Sequence, residues 1–153
     1  MDTLSFSTLR KVKYDGYVLE NAPEKVLQFG EGGFLRAFID YFIDMMNEKA
    51  GFNGKVVLVQ PRGGHPEVSE RFDAQDGLYT LILRGQENGD KVYRKRVISS
   101  VSRCLDPKSE WTCILRTAAE MTHRRLPILR SFLLFCCGDL NWDCRACGSC
   151  PAS

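Results

Sequence analysis

Glycines and an arginine are concentrated in one short segment that could hold a phosphate group. The segment reads Gly30-Glu31-Gly32-Gly33-Phe34-Leu35-Arg36-Ala37. Glycine lets the backbone come close to a bound anion, and the N-terminus of a helix offers free N–H groups and a favourable dipole. A glycine cluster on its own is more often an ordinary tight turn. The neighbouring elements must therefore decide between the two interpretations.

Around this segment the sequence predicts a strand, a glycine turn, a helix and a second strand. The run Val26–Phe29 is short, apolar and followed at once by glycines, and Lys55–Gln60 is a β-branched run that ends at Pro61. The helix between them is predicted to end at Gly51. A right-handed crossover makes the two strands parallel and places the glycine turn and Arg62 at the carboxyl edge of the sheet. This context predicts a dinucleotide-binding turn, in a variant form because Leu35 replaces the usual third glycine.

The predicted helix has a polar face and a wider apolar face. The polar residues Arg36, Asp40, Asp44 and Asn47 recur at helical spacing. Asp40 and Asp44 could be paired carboxylates for acid–base chemistry, but a solvated face is the preferred interpretation. The other positions predict deep burial against a sheet; they are Phe34, Leu35, Phe38, Ile39, Phe42, Ile43, Met45 and Met46.

Later segments predict the rest of a layered α/β domain. The runs 78–83 and 92–101 predict an antiparallel hairpin, in which Tyr79 packs in the core, and Asp106-Pro107 predicts the start of a helix through about residue 120. The fold class is therefore α/β, a Rossmann-like, partly parallel sheet with flanking helices, in truncated form. Residues 1–111 are predicted to form the incomplete dinucleotide-binding domain. Residues 112–153 are predicted to be a divergent tail that is rich in cysteine and arginine.

Composition excludes several classes of function. The net charge of +2 is too small for nucleic-acid binding by bulk electrostatics, and the basic strand around Lys95 is interpreted as a charged edge. The N-terminus carries no apolar signal segment, and the run Ser131–Cys137 is far shorter than the roughly 20 residues of a membrane helix. These features predict a cytoplasmic protein with no nucleic-acid or membrane partner.

Six of the seven cysteines follow Trp111, and three of them have a spacing that suits zinc or an iron–sulfur cluster. These three are Cys144, Cys147 and Cys150. The flanking sequence has lost its lysines and has no strand or helix period. A frame-shifted or disordered tail is therefore preferred to a metal site, and no metal ligand is assigned. His65, in a loop near the predicted ligand edge, is given no role either.

The segment Val26–Phe38 resembles the N-terminal motif of the mannitol dehydrogenase family. Val56–Gly63, Gln75–Thr80 with Arg84-Gly85, and Ser102-Arg103 support the resemblance, which covers about residues 20–111. It implies reversible hydride transfer between a nicotinamide cofactor and a sugar acid or polyol, and it is closest to members that act on hexuronate-derived sugar acids.

The resemblance also implies a cofactor and its contacts. The members concerned prefer NAD. NADP stays open, because Gln60-Pro61-Arg62 stand where an acidic residue often grips the adenosine ribose. No catalytic residue is assigned, since the family's catalytic lysine with its asparagine and histidine partners has no counterpart in this sequence, and a fragment inactive alone is expected. The alternatives are a non-catalytic nucleotide-binding module and a cysteine-rich metal protein. The cofactor contacts carry over onto Leu27, Gln28, Phe29, Gly30, Glu31, Gly32, Gly33, Phe34, Leu35, Arg36 and Ala37, with Arg62 added from the second strand's end.

Overall fold

The computed structural model describes residues 3–87 and 89–123. Within these ranges a parallel sheet, a β-hairpin and several helices follow one another along the chain. The strands are β1 (Glu24–Phe29), β2 (Lys55–Val59), β3 (Tyr79–Glu87), β4 (Asp90–Ile98) and β5 (Val101–Leu105). The helices are α1 (Phe6–Lys11), α2 (Gly33–Leu35), α3 (Tyr41–Ala50), α4 (Pro66–Ala74) and α5 (Trp111–His123), with a π turn (Arg36–Asp40) joining α2 to α3.

The three-stranded sheet is parallel, with β2 between β1 and β5. Its last residues lie side by side, since Phe29 pairs with Val59 and Val59 pairs with Leu105. This arrangement confirms the predicted parallel pairing of β1 with β2 and the Rossmann-like fold class. It also brings three loops together at the carboxyl edge.

Both faces of the sheet are covered by helices. Alternate residues of each strand point to opposite faces, so each strand contributes to two clusters. On one face Val56 and Leu58 pack with Ile43 of α3 and Phe72 of α4. On the other, Val57, Val59 and Leu105 pack with Ile114 of α5. The middle strand is fully buried along its whole length, so β2 forms the centre of the core.

The predicted hairpin is present as β3 and β4, which pair antiparallel from Tyr79 opposite Ile98 to Glu87 opposite Asp90. Its base packs against α1, where Phe6 and Leu9 contact Leu78. The hairpin lies beside the parallel sheet as a separate two-stranded sheet.

The last described helix begins later than predicted. Asp106 was expected to cap a helix from Pro107, but residues 107–109 form a turn and α5 begins at Trp111. The Asp106 carboxylate instead accepts hydrogen bonds from the backbone of Gly64 and Lys108. α5 packs on the sheet through Ile114, Ala118 and Met121.

The helical segment from Gly33 to Ala50 departs from the predicted orientation of its faces. The predicted deep burial holds for Leu35 and Ile43, but other apolar positions are exposed and most of the polar ones are buried. Asp40 and Asp44 are fully buried, whereas Phe34 is 70% exposed and Phe38 48% exposed. The prediction of a solvated polar face was wrong. The physical reason is that partners for the polar groups come from elements distant in sequence, including Arg96 and Ser99 at the end of the hairpin.

Some predictions lie outside the described residues. These include the cysteine-rich segment with Cys144, Cys147 and Cys150 and most of the predicted tail. The division into residues 1–111 and 112–153 stays a prediction. Among the helices of the described ranges, none is long and apolar enough to cross a membrane.

Candidate functional site

Three loops leave the sheet at one level of its carboxyl edge. The residues that follow the paired strand ends are Gly30, Gln60 and Asp106. The Gly30 amide donates to the carbonyl of Val59 at 2.8 Å, and the Gln60 amide donates to the carbonyl of Leu105 at 3.0 Å. These bonds extend the ladder by one residue and fix the position at which each loop begins.

Gly30 makes the sharp turn out of β1. Its φ of 121° lies in a region that side chains disfavour, and a Cβ built there would lie 2.6 Å from Cδ1 of Leu35. A side chain would be strained by the backbone angle and would also clash with the helix. This position therefore requires glycine, as the sequence predicted.

Gly32 and Gly33 occupy the next step of the turn and face open space. A Cβ at either position would meet no atom of the described residues within 4 Å. Gly32 caps the helical segment and Gly33 is its first residue, and both are exposed. Backbone N–H groups at the start of a helix lack partners within the helix and attract anions. The open space in front of them suits the oxygen atoms of a phosphate.

Eight of the twelve predicted cofactor contacts fall into two groups, one buried and one exposed. The side chains of Leu27, Gln28 and Leu35 are buried, so they support the turn from below. Gly32, Gly33, Phe34, Ala37 and Arg62 are exposed at the edge. Phe29, Gly30, Glu31 and Arg36 lie at the boundary between the two groups, where they are partly or wholly buried.

Two side chains hold the backbone on either side of the exposed glycines. The Gln28 side-chain amide donates to the carbonyl of Gly30 at 3.0 Å. The Tyr79 hydroxyl, from β3, donates to the carbonyl of Arg36 at 2.8 Å. Tyr79 thus packs in the interior, as expected, and its polar end anchors the π turn. Burial, and next the charge of Asp40, raise the pKa of Tyr79, so the hydroxyl stays protonated and keeps donating.

Asp40 lies in the π turn beneath the glycines and is fully buried. Burial raises its pKa from 3.8 to about 7, although Gln28, Arg36 and Tyr79 each act to lower it. Neither carboxylate oxygen of Asp40 accepts a hydrogen bond of normal geometry from the described residues. The neighbouring donors are already engaged, since Gln28 donates to Gly30 and Tyr79 donates to Arg36.

The loop after β2 is held by a residue that sequence reasoning assigned to another role. The Asp106 carboxylate accepts the amide of Gly64 with its two oxygens at 2.9 and 2.8 Å. A Cβ at Gly63, whose φ is 61°, would lie 2.5 Å from that carboxylate. Asp106 therefore fixes the loop that carries Arg62. The adjacent glycines were a possible signal, but their partner is more than 40 residues away along the chain.

His65 and Gln60 shape the same loop. Gln60 is buried, and its amide donates to the carbonyl of His65 and to the hydroxyl of Ser69, which joins β2 to the start of α4. The His65 ring is exposed, with Nδ1 3.1 Å from Oε1 of Glu67. This placement agrees with the expectation of a solvated loop histidine. Among the residues that the structure describes, no group of His, Cys, Asp and Glu is arranged to hold a metal ion.

Comparison with known protein families shows which family has this fold and this turn. Residues 24–126 match the Mannitol dehydrogenase Rossmann domain, which is well over half of the chain. The chain belongs to the mannitol dehydrogenase family. The match begins at the first residue of β1 and includes the glycine turn, the parallel sheet and α5. The family resemblance found in the sequence is thereby confirmed.

Within this family, the chain is similar to curated altronate oxidoreductases. The chain is 50% identical over 112 residues to the altronate oxidoreductase of Bacillus subtilis (strain 168), which covers 73% of this chain and 22% of that protein. It is 44% identical over 120 residues to the altronate oxidoreductase of Halalkalibacterium halodurans, which covers 78% of this chain and 23% of that protein. The chain thus spans less than a quarter of the length of these relatives.

Solved structures support the fold. The mannitol 2-dehydrogenase of Pseudomonas fluorescens, in a ternary complex with NAD and D-mannitol, superposes with a TM-score of 0.64 at 24% identity. The superposition covers 76% of this chain and 24% of that one. A D-sorbitol dehydrogenase in substrate-free form gives a TM-score of 0.59 at 20% identity, over 75% of this chain and 24% of that one.

Proposed function

We propose that this chain is the cofactor-binding part of an NAD-dependent oxidoreductase of the tagaturonate reductase type, also called altronate oxidoreductase. The overall reaction is D-altronate + NAD⁺ = D-tagaturonate + NADH + H⁺. The single observation that carries the proposal is the open turn at Gly32 and Gly33, at the start of a helical segment and at the carboxyl edge of a parallel sheet. The altronate oxidoreductases that match the chain support the choice of substrate.

In this proposal the turn receives the pyrophosphate of NAD. The exposed residues Gly32, Gly33, Phe34 and Ala37 lie close to the ligand, and Arg36 adds positive charge at the start of the helical segment. Leu27, Gln28, Phe29, Gly30, Glu31 and Leu35 complete the predicted contact set, and the buried members act by shaping the turn. The bound nicotinamide would accept or supply the hydride. This chain's own residues bind and orient the nucleotide.

Calorimetric titration of the full 153-residue chain with NAD tests this role. We expect Gly33→Asp to weaken binding by about tenfold or more, because the new carboxylate occupies the space proposed for the pyrophosphate and repels it. The same carboxylate favours the helix through its dipole, so folding is preserved. Gly85→Asp is the matched control, since Gly85 on β3 also faces open space. Equal affinity of the Gly33 variant and the control contradicts the proposed site.

NAD rather than NADP is proposed as the cofactor, on the basis of the family. The residues directly after β2 are Gln60, Pro61 and Arg62, so no acidic residue at this point excludes a 2′-phosphate, and Arg62 is exposed there. We expect the chain to bind NAD more tightly than NADP. We also expect Arg62→Ala to lower the remaining affinity for NADP more than that for NAD. Tighter binding of NADP by the unchanged chain contradicts the assignment.

The chain alone is proposed to bind the cofactor without completing the reaction, because no catalytic residue is assigned within it. Altronate-dependent formation of NADH by the purified chain is the direct measurement. We expect no turnover above a protein-free control. Robust turnover shows that this chain carries its own catalytic groups.

A further inference from the structure

Buried polar atoms without partners converge beneath the glycine turn. In the described part of the chain, all buried side-chain nitrogen and oxygen atoms that lack a hydrogen-bond partner belong to Gln28, Glu31, Arg36, Asp40 and Gln60. These five residues lie at the carboxyl ends of β1 and β2, in the turn itself, or in the π turn that follows. Since buried polar groups are nearly always bonded, their concentration at one place points to a functional role.

Asp40 is the centre of this cluster. It is the only one of the five whose two acidic oxygens are both buried and both unpartnered within the described residues. It lies in a π turn, a distortion that is frequent at functional sites. Its backbone is fixed, because the Ser100 hydroxyl donates to the Asp40 carbonyl at 2.8 Å.

The neighbours of the Asp40 carboxyl bind the backbone at both ends of the glycine turn. Gln28 from β1 binds the carbonyl of Gly30, and Tyr79 from β3 binds the carbonyl of Arg36. The guanidinium carbon of Arg36 lies 5.9 Å from the ring centroid of Phe72 and 5.6 Å from that of Tyr79, over the ring in each case. A change in the charge of the Asp40 carboxyl therefore acts on the backbone of the glycine turn through both of these neighbours.

We propose that Asp40 is a positioning residue that sets the conformation of Gly30–Arg36 through Gln28, Tyr79 and the Arg36 guanidinium, and thereby tunes the affinity for the nucleotide pyrophosphate. Asp40 is buried, so in this proposal it acts through these neighbours and not by contact with the ligand. The inference rests on the proposed function only in naming the nucleotide. The control of the turn is a property of the chain by itself.

Two protonation states of Asp40 would make different contacts. A neutral carboxyl can donate to Oε1 of Gln28, an acceptor without a partner, whereas a carboxylate can accept from Nε of Arg36, a donor without one. The ionised state therefore draws the Arg36 guanidinium inward and adds negative charge below the pyrophosphate. Both effects weaken anion binding. Because burial raises the pKa of Asp40 to about 7, both states are populated near neutral pH.

The groups that face Asp40 are few. Arg36 is the charged neighbour from its own turn, Tyr79 is the titratable neighbour from β3, and Gln28 from β1 is neutral. Asp44, one turn further along, is bound by Arg96 and Ser99 and is engaged elsewhere. His65 lies in the neighbouring loop, which Gln60 holds, so the Asp40→Asn variant is needed to assign titration at this place to Asp40.

The first experiment needs no nucleotide. The backbone amide resonances of Gly30, Gly32 and Gly33 are followed by NMR in the full chain from about pH 5.5 to about pH 8.5. We expect them to shift with a midpoint near 7, to be flat in the isosteric variant Asp40→Asn, and to shift as in the unchanged chain in Asp73→Asn. Asp73 lies on α4 and is exposed, so its variant makes the same charge change outside the cluster. Resonances of the unchanged chain that do not titrate overturn the proposal.

The second experiment measures NAD affinity by calorimetry. We expect binding about fivefold tighter at pH 6 than at pH 8, with proton uptake on binding near pH 7, and neither effect in Asp40→Asn. NAD binding that does not vary with pH in the unchanged chain overturns the link between Asp40 and the nucleotide. If NAD does not bind at either pH while the glycine amides titrate, the proposed function fails and the control of the turn by Asp40 stands.

Discussion

On the helical segment from Gly33 to Ala50 the polar face is buried and the aromatic face is exposed, which is the reverse of what their composition suggests. The polar face is inside, where Asp44 accepts hydrogen bonds from Arg96 and from the backbone and hydroxyl of Ser99. The aromatic face is outside, where the rings of Phe34 and Phe38 stack with centroids 5.7 Å apart. A carboxylate can be buried if its partners are complete, and the hairpin supplies them.

The exposed face forms a continuous apolar stripe of four residues at a spacing of four. These are Phe34, Phe38, Phe42 and Met46, and each is at least 40% exposed in this chain. Phe38 and Phe42 also meet edge to face, with centroids 4.8 Å apart. The comparison teaches that the buried polar network, together with the apolar contacts of Leu35 and Ile43, orients this helix on the sheet.

The strongest test of the comparison removes the centre of the buried network. Asp44→Ala leaves the backbone and hydroxyl of Ser99 without their acceptor and leaves Arg96 with only Glu48 of its two carboxylate partners. We therefore expect the free energy of unfolding to fall by about 3 to 5 kcal/mol. Urea unfolding measures this loss. Asp15→Ala, at an exposed position, is the control and should change stability by less than about 0.5 kcal/mol. Similar values for the two variants would show that the buried face does not orient the helix.

The second test uses pH. The pKa of Asp40 rises from 3.8 to about 7 on folding, so the folded state binds the proton more tightly. The stability that this proton contributes is fully present below about pH 4 and is lost as the pH rises through 7. We expect a loss on the order of 3 kcal/mol between pH 4 and pH 8.

Asp40→Asn provides the reference for this effect. The variant cannot ionise, so its stability should lack that component of the pH dependence, as measured by thermal unfolding across the same range. A slope in the variant as steep as that of the unchanged chain assigns the effect to other groups.

A smaller loss of stability should distinguish Asn47, on the buried face, from its neighbour Met46, on the exposed face. Asn47 exchanges two hydrogen bonds of 2.9 Å with the backbone of Gly54, so Asn47→Ala leaves a buried donor and acceptor unpaired. We expect a cost of about 2 kcal/mol. Met46→Ala, next to it on the exposed face, should cost less than about 1 kcal/mol. Chemical denaturation of both variants decides the matter, and a larger cost for Met46 would reverse the assignment of the faces.

The smallest effect is expected on the aromatic stripe. Phe38→Gln removes two ring contacts at a half-exposed position, so we expect a change within about 1 kcal/mol. Light scattering should also show less self-association, because an exposed apolar patch shrinks. A loss of more than about 2 kcal/mol would show that the stripe is covered in solution.

Much of the site was predictable, because it depends on local features. The glycine turn, the strands on either side and the capping residue Gly51, whose φ is 63°, all follow from short-range backbone and apolar patterns. The roles of Tyr79 and Asp106 could not be predicted in this way. Their partners, Arg36 and Gly64, are about 40 residues distant along the chain, and only the packing of the hairpin and of β5 brings them together.

The sequence by itself determined a glycine turn between a strand and a helix, a parallel crossover and the family to which they belong. Only the tertiary structure decided which face of the helix is buried and that Asp40 lies under the turn that it is proposed to control. The physical reason is that helical spacing shows which residues share a face but does not show which face becomes buried. Burial of the Asp44 and Asn47 side chains depends on partners that the folded chain supplies from elsewhere, and the Asp40 carboxyl is buried by the packing around it.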